Sequence, residues 1–321
     1  MGAALSWGAV ASPRTPARLR GLPVCYNLAV KIVCKGPYDL TLSWRMMSAF
    51  AGRTASPQGR LALWWEENPT VLQLRQPGRD PPTVEARADP HPEDAAGLAD
   101  LLGGILNADL ELSPFYSRAL DHRALAGVVK DLEGLKPLRP PDLFQMLITA
   151  LTEQQISMAA AARIRERIVD AYGKPAGDLM VFPRPRDLAS GSIDELRRLG
   201  LSRRKAEYLL DLARNMAVGG IDTTSWEAES DEVLIGELIS HRGIGEWTAE
   251  YVLARGLGRL DVVPASDLGV RRAVGHYLGR GGDPSPDEVR DMLCPWSPWR
   301  GLLAFYIMAH YRITQMGLDQ A

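Results

Sequence analysis

Apolar and polar positions follow two different rhythms along the chain, and the change between them divides it. From Tyr26 to about Asn107 the rhythm is that of short strands. Residues 27–34 (NLAVKIVC), 60–65 (RLALWW) and 70–75 (TVLQLR) are apolar, partly β-branched runs of strand length. A turn at residues 76–82 leads to a fourth run at 83–87. Helical patterns lie between them, near residues 42–51 and over 92–106. This predicts a small α+β domain at residues 25–112, an antiparallel sheet with helices against it.

Past Leu112 the period lengthens, and residues 113–321 read as all-α, in two helical subdomains. Residues 114–134 predict one or two helices, and the proline-rich stretch 135–141 predicts a break. Leu143, Met146, Leu147 and Leu151 form one stripe on a helix over 142–157. An alanine-rich helix follows at 158–172, a short one at 193–199 and another from Arg203 to about Val218. Ser230, followed by Asp231 and Glu232, is an N-cap with acids in the first turn, where the helix dipole favours them. Leu234, Ile235, Leu238 and Ile239 then recur at helical spacing. That helix stops at His241-Arg242-Gly243-Ile244-Gly245, and the next runs from about Glu246 to Arg255. Two more are predicted at residues 268–278 and 301–314.

Composition narrows the function classes. The 321 residues allow two or three domains with a proper core, and no apolar run has transmembrane length. Three widely spaced cysteines (Cys25, Cys34, Cys294) argue against a disulfide framework and fit a reducing compartment. Three is also too few to ligate an iron–sulfur cluster. A net charge of −2 excludes a non-specific nucleic-acid coat protein. Any nucleic-acid contact must use local clusters such as Arg203-Arg204-Lys205 and Arg271-Arg272, together with backbone amides. Residues 1–24 hold three arginines and no acid. With their prolines and no apolar face they read as a disordered extension, not as a targeting signal.

The chemistry concentrates between Ser230 and Val274. Gly243 and Gly245 flank one apolar residue between two helices, which permits a tight turn and clears side chains from an approaching backbone. The amides of this turn and of the following helix start would form an anion site. On spacing alone a Gly-x-Gly between helices is only a turn, and Asp267, just before a fresh helix, is only an N-cap. Trp247 and Tyr251, four apart, share one helical face.

The hairpin, the two aromatics and the Asp at a helix start together resemble the helix-hairpin-helix DNA glycosylase superfamily. Pro37-Tyr38-Asp39-Leu40, Gln154-Gln155-Ile156-Ser157 and Pro298-Trp299-Arg300 before an apolar helix resemble its AlkA type, the 3-methyladenine DNA glycosylase II. The resemblance runs from about Pro37 to Met316. It implies a lesion cleft between the helical subdomains, Asp267 as the catalytic carboxylate, and Trp247, Tyr251 and Met308 as contacts to the base. It implies DNA contacts from Arg242, Gly243, Gly245 and Arg300, with Gln155 as the wedge that fills the hole left by a flipped nucleotide. It further implies that the main-chain carbonyls of Ile239, His241 and Ile244 hold Na+ or K+; no other cofactor is expected. The hairpin has Arg242 where the family has Pro, and Met308 stands where some members have an aromatic. Members that also cut the strand have Lys at the position of Trp247. The reading is therefore a monofunctional glycosylase that removes 3-methyladenine and 7-methylguanine from damaged duplex DNA in base excision repair. It would act as a cytoplasmic monomer, away from any membrane. An oxidised-base glycosylase/lyase and a non-catalytic helix-hairpin-helix binding protein remain the alternatives.

Overall fold

A computed structural model of the chain describes residues 29–48, 51–279 and 281–315, so the extension at 1–24 lies outside the described residues. The N-terminal strands are β1 (Ala29–Val33), β2 (Ala55–Ser56), β3 (Arg60–Trp65), β4 (Asn68–Arg79) and β5 (Pro82–Asp89). They form one antiparallel sheet in the order β1-β5-β4-β3-β2. Period-two alternation sends Val30, Ile32, Leu61, Leu63, Leu72 and Leu74 to one face, where they bury against helices α1 (Leu40–Ser48) and α2 (Ala95–Ile105). The expected turn at residues 76–82 is shorter than predicted. β4 continues through a register shift between Arg75 and Gly78 and ends at Arg79. A bulge accommodates the Pro77 that otherwise reads as a stop.

The opposite sheet face also meets a partner, one the sequence pattern does not predict. A two-stranded hairpin, β6 (Lys174–Ala176) and β7 (Leu179–Val181), interrupts the helical region. Its Ala176, Leu179 and Val181 pack on Ala62 and Val71. Polar contacts fasten this junction. Trp64 Nε1 donates to the Phe182 carbonyl at 2.8 Å, and Arg184 lies over the Trp64 ring at 3.7 Å while pairing with Glu67 at 2.8 Å.

The rest is helical: α3 (Ser113–Leu120), α4 (Ala126–Asp131), α5 (Leu143–Glu153), α6 (Met158–Tyr172), α7 (Pro185–Ala189), α8 (Ile193–Arg198), α9 (Arg203–Ala217), α10 (Asp231–Ser240), α11 (Glu246–Arg255), α12 (Leu268–Tyr277), α13 (Pro286–Leu293) and α14 (Arg300–Gln315). Two separate apolar cores organise them. One is built from α5 to α11, the other from α3 and α4 packed with α12 to α14. Tyr251 sits at the fringe of the first core and Met308 at the fringe of the second, so the seam between the cores is where they can face each other. None of the described helices is long and apolar enough to cross a membrane.

A buried cation holds the sheet to the helical region. Lys136 is fully buried, and its ammonium donates to the carbonyls of Lys35, Asn107 and Ala108 at 2.8–3.2 Å. The Tyr38 ring lies 5.2 Å away. Burial lowers the pKa of Lys136 to about 8, partly offset by the nearby Cys34, Glu111 and Asp109. The unfolded chain therefore binds the extra proton between about pH 8 and 10.5, and folding gains stability as pH rises through that window. Comparing denaturant unfolding of the wild type with Lys136→Met across this range should show the difference moving towards the wild type by up to about 3 kcal/mol. A pH-independent difference would place the proton elsewhere.

Candidate active site

Asp267 is the last residue before α12, and its carboxylate caps that helix: Oδ1 accepts the Val270 amide at 3.0 Å. The cap supplies only half of its environment. Oδ2 accepts Trp247 Nε1 at 3.2 Å, across from α11. The carboxylate is thus fixed from both sides of the seam, with lone pairs left on each oxygen for a further donor. The side chain is half-buried.

Trp247 and Tyr251 stack at 5.3 Å between centroids with an interplanar angle of 15°. The helical spacing of four predicts this shared face, but not the Trp247 bond to Asp267, which spans 20 residues. Burial pushes the Tyr251 hydroxyl well above its usual value, with Glu153 adding to the shift. Met308 on α14 lies on the same side as Asp267. Its sulfur lies 3.5 Å from the point a Cβ on Gly269 would occupy, and Asp267 Oδ1 lies 3.0 Å from the same point. The expected catalytic carboxylate and the three expected base contacts are therefore neighbours.

The hairpin between α10 and α11 closes as its glycines require. Gly243 has φ +88°, and an added Cβ would lie 2.3 Å from the Tyr208 ring. Gly245 is the N-cap of α11, is exposed, and has nothing within 4 Å of where a Cβ would point. An outside group can reach the amides there. The Ile244 amide donates to the His241 carbonyl at 3.2 Å, while Ile244 itself is buried. Neutral carbonyl oxygens at Ile239, His241 and Ile244 are the donor type a monovalent cation accepts, and the His241 oxygen keeps a second lone pair after its turn bond. No group of three or more His, Cys, Asp or Glu among the described residues could hold a metal ion.

Gln155 follows the end of α5 with φ +57° and is exposed. A non-glycine residue in the left-handed region costs backbone energy and marks a constrained turn. The preceding residue explains the constraint. Gln154 Nε2 donates to the Gly243 carbonyl at 2.8 Å and to Thr248 Oγ1 at 3.0 Å, which joins this turn to the hairpin. Gln155→Ala should weaken binding to a duplex bearing an abasic analogue by roughly tenfold, and binding to undamaged duplex much less. Equal losses in a titration of both duplexes would make Gln155 a surface cap.

Several basic residues take other partners than the sequence suggests. Lys205 caps the C-terminus of α5, donating to the carbonyls of Thr152 and Gln154, and burial lowers its pKa. Three cations in the first turn of α9 suggest a phosphate site, but a neighbouring helix end claims this one. Arg203 pairs with Glu207 at 3.2 Å. Arg242 reaches Asp211 at 3.0 Å and lies over the Tyr208 ring, so its charge is held against α9. Arg300 pairs with Asp261 at 2.7 Å, and Asp261 also accepts the Arg300 amide. Arg271 turns to the Pro284 carbonyl, and Arg272 lies 3.7 Å from Asp283.

The profile of the HhH-GPD superfamily of base excision DNA repair proteins matches residues 148–298. A DNA-3-methyladenine glycosylase of Bacillus subtilis is 30% identical over 203 residues, 62% of this chain and 67% of that protein. The chain belongs to this superfamily. A 3-methyladenine DNA glycosylase structure from Archaeoglobus fulgidus has the same fold, with a TM-score of 0.79 over 89% of this chain and 99% of that one at 24% identity. A Schizosaccharomyces pombe 3-methyladenine DNA glycosylase solved with abasic DNA is 26% identical, with a TM-score of 0.55 over 62% of this chain and 98% of that one. The superfamily match spans the hairpin, the Gln154–Gln155 turn and Asp267. Met308 lies outside it, on α14.

Proposed function

We propose that the chain is a monofunctional DNA glycosylase that turns an alkylated base out of duplex DNA and hydrolyses its N-glycosidic bond, leaving an abasic site for base excision repair. The observation that carries this is the Asp267 carboxylate, fixed by Trp247 beside the Trp247–Tyr251 stack. Extruding a nucleotide costs a few kcal/mol of stacking. Gln155 offsets part of that by filling the gap, and the amides around Gly243 and Gly245 hold a backbone phosphate. The carbonyls of Ile239, His241 and Ile244 would hold a monovalent cation, which would supply positive charge beside that phosphate.

As the glycosidic bond lengthens, positive charge grows on the sugar. Asp267 stabilises it and orients or deprotonates the attacking water. The aromatic stack takes the extruded base, and a methylated cationic purine is attracted to its π face. Trp247 occupies the place where a strand-cutting enzyme needs a lysine, so no Schiff base forms and the strand stays intact. Asp267 and both rings come from one chain, so a monomer suffices, and it acts on DNA in the cytoplasm.

The test is paired. Methylated duplex DNA should release 3-methyladenine and 7-methylguanine with an abasic site left in an unbroken strand. Borohydride should trap no protein on an 8-oxoguanine duplex. A trapped adduct, or no release of methylated purines, overturns the reading.

A further inference from the structure

A second side chain of α11 crosses the seam between the helical cores beside Trp247. Glu250, three residues further along the helix, is buried, and its Oε1 accepts Arg290 Nη2 of α13 at 3.0 Å. α11 belongs to the core built from α5 to α11 and α13 to the other, so the pair ties one core to the other. Arg290 also reaches Glu246 at 3.0 Å and Asp287 at 3.4 Å, and both of those acids are exposed. Its charge is therefore met without Glu250. The other oxygen of Glu250, Oε2, is buried with no hydrogen-bond partner among the described residues. The Ala265 amide, two residues before Asp267, acts on this carboxyl without reaching hydrogen-bond geometry. Burial raises the Glu250 pKa, and the Arg290 bond offsets only part of the rise.

A carboxylate buried with one oxygen unsatisfied is a poor source of stability. Taking it out of water costs as much as the ion pair returns, and a packed apolar side chain serves a fold as well or better. What the pair does supply is a fixed distance and direction. Within one turn of α11, Trp247 reaches Asp267 at the start of α12 and Glu250 reaches α13. Two such struts stop α11 from rolling or sliding against the segment that presents Asp267. The 3.2 Å bond from Trp247 Nε1 is directional, so a small shift of α11 breaks it.

We propose that Glu250 is a positioning residue that, through Arg290, keeps Trp247 Nε1 on Asp267 and so aims the carboxylate. This rests on the glycosylase reading above. Three quantities are measured: single-turnover release of 7-methylguanine at saturating enzyme, affinity for a duplex bearing an abasic analogue, and the denaturant midpoint. Glu250→Met, similar in length and without charge, should slow release by roughly thirtyfold, since a misplacement of about 1 Å can cost about a hundredfold. Its affinity should stay within about twofold and its midpoint at or above that of the wild type. A merely structural residue would lower stability and release together. Glu250→Gln keeps an oxygen for Arg290 and should recover most of the rate. Trp247→Phe keeps a ring but loses the donor, and adding Glu250→Met to it should slow release by no more than about twofold further. Should Glu250→Met fail to fold, Glu250→Leu gives the same comparison. Unchanged release in Glu250→Met, a loss that tracks a fallen midpoint, or a full further loss on Trp247→Phe overturns the proposal and leaves the glycosylase reading intact. A wild type that releases no 7-methylguanine overturns both.

Discussion

Asp267→Asn is expected to fold normally, bind duplex DNA as the wild type does, and lose base release by roughly a thousandfold or more. The asparagine oxygen can still accept the Val270 amide and so keep the helix cap, while its NH2 cannot accept from Trp247 Nε1 and that one bond is lost. A good N-cap replaces a good N-cap, so stability should stay within about 1 kcal/mol. In the proposed mechanism the lost charge is the one that counters the positive sugar and orients or deprotonates the water. Near-normal release by the variant would reduce Asp267 to a helix cap. So would a loss of release matched by a large fall in stability.

The second large effect concerns the hairpin, where two glycines should behave differently. Gly243→Ala must adopt φ near +88° and push its methyl group into the Tyr208 ring, which Arg242 and the whole of α9 hold in place. Left-handed strain plus overpacking should lower stability by roughly 2–4 kcal/mol, with a loss of duplex binding as the turn shifts. Gly245→Ala meets no protein atom and has an ordinary φ of −101°, so stability should change by no more than about 1 kcal/mol. On the proposed reading its methyl group stands where a phosphate approaches, and duplex affinity should fall by about tenfold. Denaturant unfolding and a DNA titration on each variant separate the two roles. Equal effects on stability would mean that Gly245 is a turn residue like Gly243.

Local patterns carry most of the fold. The strands at residues 60–65 and 70–75 and the helices from 158–172 to 246–255 lie within a residue or two of their expected places, except β4, which extends past both ends of its expected run. Each has a period, a cap or a proline that acts over a few residues. The hairpin β6–β7 escapes prediction because strands of three residues, one with Pro175, have no period to detect. Helix α13 escapes despite a readable start in Ser285-Pro286-Asp287-Glu288, a capping box with Pro at the first position. In the site, Asp267, Trp247 and Tyr251 are legible because they flank one recognisable turn. Met308 is legible only through the resemblance, since its nearness to Asp267 comes from packing around Gly269. Lys205 shows the converse. A basic cluster in sequence says that charge is present, but its target here is the end of α5, which only packing reveals.

Gln154 gives the site a mechanical property. Its side chain is clasped by the hairpin through Gly243 and Thr248, and its carbonyl by Lys205. On the proposed reading, the part that grips the strand and the part that enters the base stack are consequently joined through one residue. On the proposed reading, a search along undamaged DNA then cannot proceed by a finger that flicks in and out while the grip stays put. Each inspection requires the whole body to seat and lift again, so scanning would go by discrete touchdowns, with the phosphate contact setting their frequency and salt shortening each stay.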